Sequence, residues 1–156
     1  MTNTSNKNEA AGEAQAQFVS MSVAGQLFGI PVRQVRDILG PQKIARIPLA
    51  PSAIAGVLNL RGRIVTAIDL RRRLGLAPAD GRGMCVTVDH KTELYSLIID
   101  KIGDVVSLSA SDYESNPPTL DPHWHSVADG VYRLEDQLMI VLDVARVVQL
   151  NEKAAA

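Results

Sequence analysis

The sequence predicts a mainly β domain with short helices and a pseudo-twofold internal repeat, closed as small barrels or as a sandwich. Three observations predict it. Residues 56–70 return 74 positions later as 130–144, with Gly56/Gly130, Val57/Val131, Leu60/Leu134 and Asp69/Asp143 in register, and Arg72/Arg146 and Leu76/Leu150 extend the match. A second echo lies upstream at an offset of 67, pairing Phe28, Ile30, Val32, Val35, Asp37 and Ile38 with Tyr95, Leu97, Ile99, Ile102, Asp104 and Val105. Short alternating or continuous apolar runs fill much of the remainder. Two copies are too few for a solenoid, so each half must cover the other's apolar surface within one globular unit.

The elements follow in order. Residues 1–17 are polar and alanine-rich and are expected to form a disordered tail, neither signal peptide nor span. Val19, Met21 and Val23 alternate with serines, Gly25-Gln26 offers a turn, and Leu27 to Val32 resumes an extended pattern. Val35 and Asp37, two apart, are expected on one strand face. Ile64 to Ile68 and Leu138 to Leu142 are nearly continuous apolar runs suited to strands buried on both faces. Each ends at an aspartate placed to cap a short helix: Asp69 before Leu70 to Leu74, with Gly75 at the helix end, and Asp143 before Val144 to Val148. Between them, Val86 and Val88 read as a strand, His90-Lys91 as a turn and Leu94 to Ile99 as the returning strand. The expected organisation is one domain over 18–150 with a C-terminal tail at 151–156.

Composition narrows the function. With 156 residues, 46% hydrophobic, the chain can bury a sizeable core but has little room for a second domain. Sixteen basic against seventeen acidic side chains create no global field toward nucleic acid or membrane. The single cysteine, Cys85, excludes an internal disulfide and reads as a buried strand residue. A cytoplasmic location is expected.

No catalytic constellation stands out. Asp69 and Asp143 could form a carboxylate pair, but both open helices, and neither is followed by the Thr-Gly or Ser-Gly of an aspartic protease. There is no phosphate loop, Ser/His/Asp set or Cys-His metal spacing. His123-x-His125 could place two imidazoles on one strand face, yet Pro122 and Trp124 suggest a packed connector, and no metal site is expected. Arg61, Arg63, Arg71, Arg72 and Arg73 fall within thirteen residues. That basic cluster supports an alternative reading as a small nucleic-acid-binding barrel. Against it, none of the chain's six aromatic residues lies between positions 29 and 94, so bases would lack stacking partners.

The run Gly56-Val57-Leu58-Asn59-Leu60-Arg61-Gly62-Arg63-Ile64-Val65, continued by Ile68-Asp69-Leu70-Arg71, resembles the signature of the CheW-type chemotaxis coupling proteins. The likeness extends through residues 28–38, Ile47-Pro48 and Ile99 to Val105, and so covers 18–150. It implies two interleaved five-stranded barrels, SH3-like or OB-like, the chain's two ends building one and its middle the other. It also implies a non-catalytic, cofactor-free adaptor. Such an adaptor couples the cytoplasmic tip of methyl-accepting chemoreceptors to the regulatory domain of a CheA histidine kinase. On this likeness the chain binds no nucleic acid, does not insert in the membrane, and is a monomer when free, gathering at membrane-associated receptor arrays. Partner-binding roles fall to Val35, Asp37, Asn59, Leu60, Arg61 and Gly62, with Arg61 expected to project from a hairpin turn. Two departures stand out: Thr66 replaces a usual Pro, which frees a ladder N–H, and Asp37 replaces a usual Glu on a shorter stem.

Overall fold

The computed structural model describes residues 15–79, 81, 83–115 and 120–149. The strands are β1 (Gln15–Val23), β2 (Gln26–Pro31), β3 (Val35–Leu39), β4 (Ile54–Leu60), β5 (Arg63–Asp69), β6 (Met84–His90), β7 (Glu93–Ile99), β8 (Lys101–Ser109), β9 (Tyr113–Glu114), β10 (Ala128–Arg133) and β11 (Leu138–Leu142). Among the described residues three short α-helices lie between or after them, α1 (Leu70–Arg73), α2 (Pro122–His125) and α3 (Val144–Val148), with 3-10 turns at Val32–Gln34 and Ala110–Asp112. One sheet has the order β8-β1-β2-β11-β10-β9 and the other β3-β6-β7-β5-β4. The two ends of the chain therefore build the first sheet and its middle builds the second.

This order explains the repeat. In each sheet two strands come from one half of the sequence and the other three repeat strands from the other half, so neither half completes a sheet alone. Among the described residues the parallel pairings are where the halves meet, β2 with β11 and β7 with β5, and they are equivalent: Phe28 opposes Ile140, as Tyr95 opposes Thr66. Bulges repeat too, at Ile54/Gly56 in β4 and at Ala128/Gly130 in β10. Glycine is required at both, because φ is +148° and +159° and a Cβ would come within 2.1 Å of the Ala45 carbonyl oxygen or 2.3 Å of the Tyr113 hydroxyl.

Both sheets curl. Phe18 of β1 and Tyr132 of β10 are three strands apart, about 14 Å in a flat sheet at the usual spacing. Their ring centroids are nevertheless 5.1 Å apart. They form with Met139 and Val141 the apolar interior of the first barrel. Leu58, Val65 and Ala67 do the same for the second. The largest core lies between the barrels, where Met21, Phe28 and Ile30 meet Val86, Val88, Leu97 and Ile99 and the α3 valines.

Three local expectations change. β1 begins at Gln15, so residues 15–17 pair with β8 instead of belonging to the tail; residues 1–14 and 151–156, and Leu150, lie outside the described residues. The first turn is at Ala24-Gly25, and Gln26 is already paired with Val23. Residues 122–125 are helical, which removes the strand face on which His123 and His125 were expected to align. Trp124 at its centre packs edge-on against Phe28, so the connector is a packed one.

Candidate partner interface

The corner where β4 turns into β5 holds most of the expected site. Arg61 and Gly62 both have positive φ, +53° and +86°, the conformation of a type I′ hairpin turn. Asn59 Oδ1 accepts the Gly62 N–H at 2.9 Å, which fixes the turn. Leu60 packs into the second barrel's interior, so Asn59, Leu60 and Gly62 leave Arg61 at the tip with its side chain 75% exposed.

Arg61 is not solvated alone. Its Nη1 stands 2.9 Å from Asp37 Oδ2, an ion pair by distance though not aligned as a hydrogen bond. Asp37 Oδ1 accepts the Ile38 N–H at 3.0 Å, and Oδ2 is buried. The shorter stem of this carboxylate thus still reaches the turn.

Val35 and Asp37 do not share a face. Val35 opposes Val88 whereas Asp37 opposes the adjacent Thr87, because a bulge between them inserts an extra residue into β3. Val35 consequently packs toward the core between the barrels, and Asp37 faces the same side as Thr87, Ser96 and Ala67, its row across the sheet. Simple alternation in the sequence could not reveal this. Nor did it single out Ile64, 69% exposed and directly opposite Asn59, or Ile38, 39% exposed beside Asp37, which add apolar surface to the corner.

Arg71 and Arg73 of the basic cluster are half-buried and bonded within the molecule, while Arg61, Arg63 and Arg72 are exposed. Arg71 forms a two-point pair with Asp100, Nε to Oδ1 at 3.0 Å and Nη2 to Oδ2 at 2.7 Å, and also donates to the Ala77 carbonyl. Arg73 donates to the carbonyls of Val147 and Arg146 at 3.2 and 3.0 Å, closing the end of α3, and burial lowers its pKa. Arg72 lies 3.8 Å from Asp69. These contacts disperse the charge a nucleic-acid groove would need.

The two expected caps correspond. Asp69 Oδ1 accepts the Arg72 N–H at 3.5 Å, as Asp143 Oδ1 accepts the matching Arg146 N–H at 3.3 Å, and Asp69 Oδ1 also accepts the Arg71 N–H at 3.0 Å. At the end of α1 the N–H groups of Gly75 and Leu76 return to the carbonyls of Arg72 and Arg71 at 3.1 and 2.7 Å. Both aspartates are therefore occupied structurally. Asp100 is another junction: besides Arg71 it accepts the Ala24 N–H at 2.8 Å, tying the β1–β2 turn to α1. The Arg71 hydrogen bonds hold its carboxyl below the usual range. Cys85 is buried, and desolvation pushes its thiol up, the opposite of activation. Among the described residues no three His, Cys, Asp or Glu side chains converge as metal ligands, and no helix is long and apolar enough to cross a membrane.

Two interleaved, curled sheets with an exposed turn arginine at one corner define a double-barrel domain. The CheW-like domain family model matches residues 17–152, and the chain belongs to that family of non-catalytic chemotaxis adaptors. It is similar to the chemotaxis protein CheW of Rhizobium meliloti (strain 1021), 27% identical over 90% of this chain and 92% of that one. The chemotaxis protein CheW of Treponema pallidum (strain Nichols) is 29% identical, with 92% and 88% covered. Among solved structures, the scaffolding protein TtCheW from Thermoanaerobacter tengcongensis superposes with a TM-score of 0.79 at 26% identity, covering 88% of this chain and 94% of that one. The protein is accordingly not an enzyme but a scaffold in chemotactic signal transduction.

Proposed function

We propose that the protein couples the cytoplasmic tip of methyl-accepting chemoreceptors to the regulatory domain of a CheA-type histidine kinase. Its partner-binding surface is the corner of Asp37, Asn59, Leu60, Arg61 and Gly62, with Val35 on the adjoining face of β3. The protein works on the cytoplasmic side of the membrane at receptor arrays and is a monomer when free.

One observation carries the assignment to this corner. The Arg61 guanidinium is three-quarters exposed yet restrained at both ends, by a side-chain-capped turn below and by the Asp37 carboxylate beside it. A long side chain ordered before binding loses less entropy on docking, and its remaining N–H donors can meet carboxylates or carbonyls of a partner. Exposed Ile64 and Ile38 supply apolar area next to that charge. Coupling then consists of holding two proteins in fixed relative orientation through weak interfaces on a rigid double barrel.

The reading is tested by titrating the full chain, wild type and Arg61→Ala, against a receptor tip fragment and against a kinase regulatory domain. Wild type should bind both, and the variant should lose at least one by roughly thirtyfold, the equivalent of an anchor worth about 2 kcal/mol. Wild-type affinity of Arg61→Ala for both partners would remove Arg61 from the site.

A further inference from the structure

The repeat places Ala50 where Trp124 stands. In the 74-residue register Pro48, Ala50, Ser52 and Gly56 correspond to Pro122, Trp124, Ser126 and Gly130. The main chain follows: the Ala50 N–H donates to the Ile47 carbonyl as the Trp124 N–H does to that of Asp121, at 3.4 and 2.8 Å, and Asp69 N–H to Ala53 O matches Asp143 N–H to Val127 O, both 2.8 Å. The two segments share these bonds but part at one position, where Leu49 has φ +64° and its counterpart His123 lies within helix α2, and the side chains at 50 and 124 differ by an indole.

On its own side the indole is well seated. Its ring lies edge-on to Phe28 with centroids 5.7 Å apart, and Nε1–H donates to the Leu74 carbonyl at 3.2 Å. The counterparts of Phe28 and Leu74 in the two registers are Tyr95 and Val148. Around Ala50 those same two residues, with Ile54, Thr66 and Ile68, line an open groove of about 380 Å³. The groove is thus the second copy of an aromatic seat, with a methyl group where the first copy has its ring.

We propose that this groove receives an aromatic side chain, tryptophan by preference, from a protein partner, with the Val148 carbonyl accepting the indole N–H. The chain does not supply that ring itself. Its six aromatic residues, Phe18, Phe28, Tyr95, Tyr113, Trp124 and Tyr132, all have places in the described fold, and residues 1–14 and 150–156 include none. The groove's lip points the same way: Leu49 is fully exposed in a left-handed conformation, φ +64°, a costly arrangement for a branched apolar residue that nothing among the described residues covers. A docked aromatic would bury it. Glu93, bonded to the Tyr95 hydroxyl at 3.1 Å, places one carboxylate at the rim and favours a basic residue beside the ring.

In identifying the partner as the kinase domain or the receptor tip, the inference rests on the coupling reading above. The test separates the two. Full-length ¹⁵N-labelled protein is titrated with N-acetyl-tryptophanamide, with N-acetyl-leucinamide as control, and Ala50→Trp is prepared to fill the groove from within. Saturable shifts confined to Tyr95, Ile68 and Val148, seen with the indole and not the leucine probe and lost in Ala50→Trp, are the expected result. Ala50→Trp should also melt higher than wild type and bind one of the two protein partners about tenfold more weakly or worse. Diffuse, unsaturable shifts overturn the aromatic seat, and the wild-type titration decides this even if the variant fails to fold. Concentration-dependent shifts of the same residues in the protein alone would assign the groove to a second copy and overturn the partner claim. Equal binding of wild type and a folded Ala50→Trp to both partners sinks the docking role while leaving the coupling function standing; failure of wild type to bind either partner sinks the coupling function and leaves the probe result to judge the groove.

Discussion

Arg61 and Asp37 stand 2.9 Å apart although they belong to opposite margins of one sheet. Asp37 is on β3, the first strand in the order, and Arg61 is in the turn joining the last two. Flat, four strand spacings would separate those edges by about 19 Å. The ion pair is therefore a closure of the second barrel as well as a feature of its surface. The first barrel has no equivalent, since the matching positions are Asp104 and Glu135, both acidic.

This geometry predicts a small but non-additive effect on stability. Arg61→Ala should cost about 1 kcal/mol, because it leaves a buried carboxylate oxygen without its cation, whereas an exposed pair alone contributes roughly 0.2–1 kcal/mol. Arg61→Ala/Asp37→Ala should then be no less stable than Arg61→Ala alone. Urea melts of Arg61→Ala, Asp37→Ala and the double variant measure it; simple additivity would mean that the pair does not close the barrel.

Asp100 predicts acid sensitivity. Its folded-state pKa lies below the ordinary value, chiefly through its hydrogen bonds from Arg71. The carboxylate contribution is therefore complete above the unfolded pKa, about 4, and is lost as pH falls through the lower folded value. Asp100→Asn should destabilise by on the order of 2 kcal/mol at neutral pH, and the gap from wild type should narrow on acidification. A constant gap from neutral pH down to pH of about 2 would contradict the assignment.

The caps make the opposite comparison to Arg61. Asp69→Ala and Asp143→Ala should each cost about 1 kcal/mol while leaving partner affinity unchanged, because each carboxylate serves its own helix and the exposed turn remains. Thermal melts paired with binding titrations check this, and loss of binding at unaltered stability would transfer Asp69 or Asp143 to the interface.

Gly56→Ala and Gly130→Ala should both be severely damaging single-methyl additions, each costing about 2–4 kcal/mol. A Cβ at either position meets a carbonyl or a tyrosine ring at well under contact distance. Chemical denaturation of both, set against Gly25→Ala at an open position, measures the cost.

Much of this was legible in the residues. The repeat registers, the apolar runs and the two aspartates located the equivalent strands and helix starts, because burial and capping are local demands. What alternation could not give was pairing between strands distant in sequence. The swap of halves depends on β2 meeting β11 and β7 meeting β5, and the bulge that turns Val35 and Asp37 to opposite faces depends on β6 opposite them. The Asn59 to Gly62 run was recognisable as a turn, yet its ion partner came from a strand more than twenty residues away. The packing of Trp124 against Phe28, and hence the significance of Ala50, required the same long-range contacts.

The most direct test of the account is receptor-dependent autophosphorylation. A CheA-type kinase and receptor-bearing membranes are assayed without the protein, with wild type and with folded Arg61→Ala. Wild type should raise kinase output above the two-component mixture, and Arg61→Ala should restore only a small part of that increase. Kinase output that is the same with and without folded wild-type protein would contradict the coupling function itself.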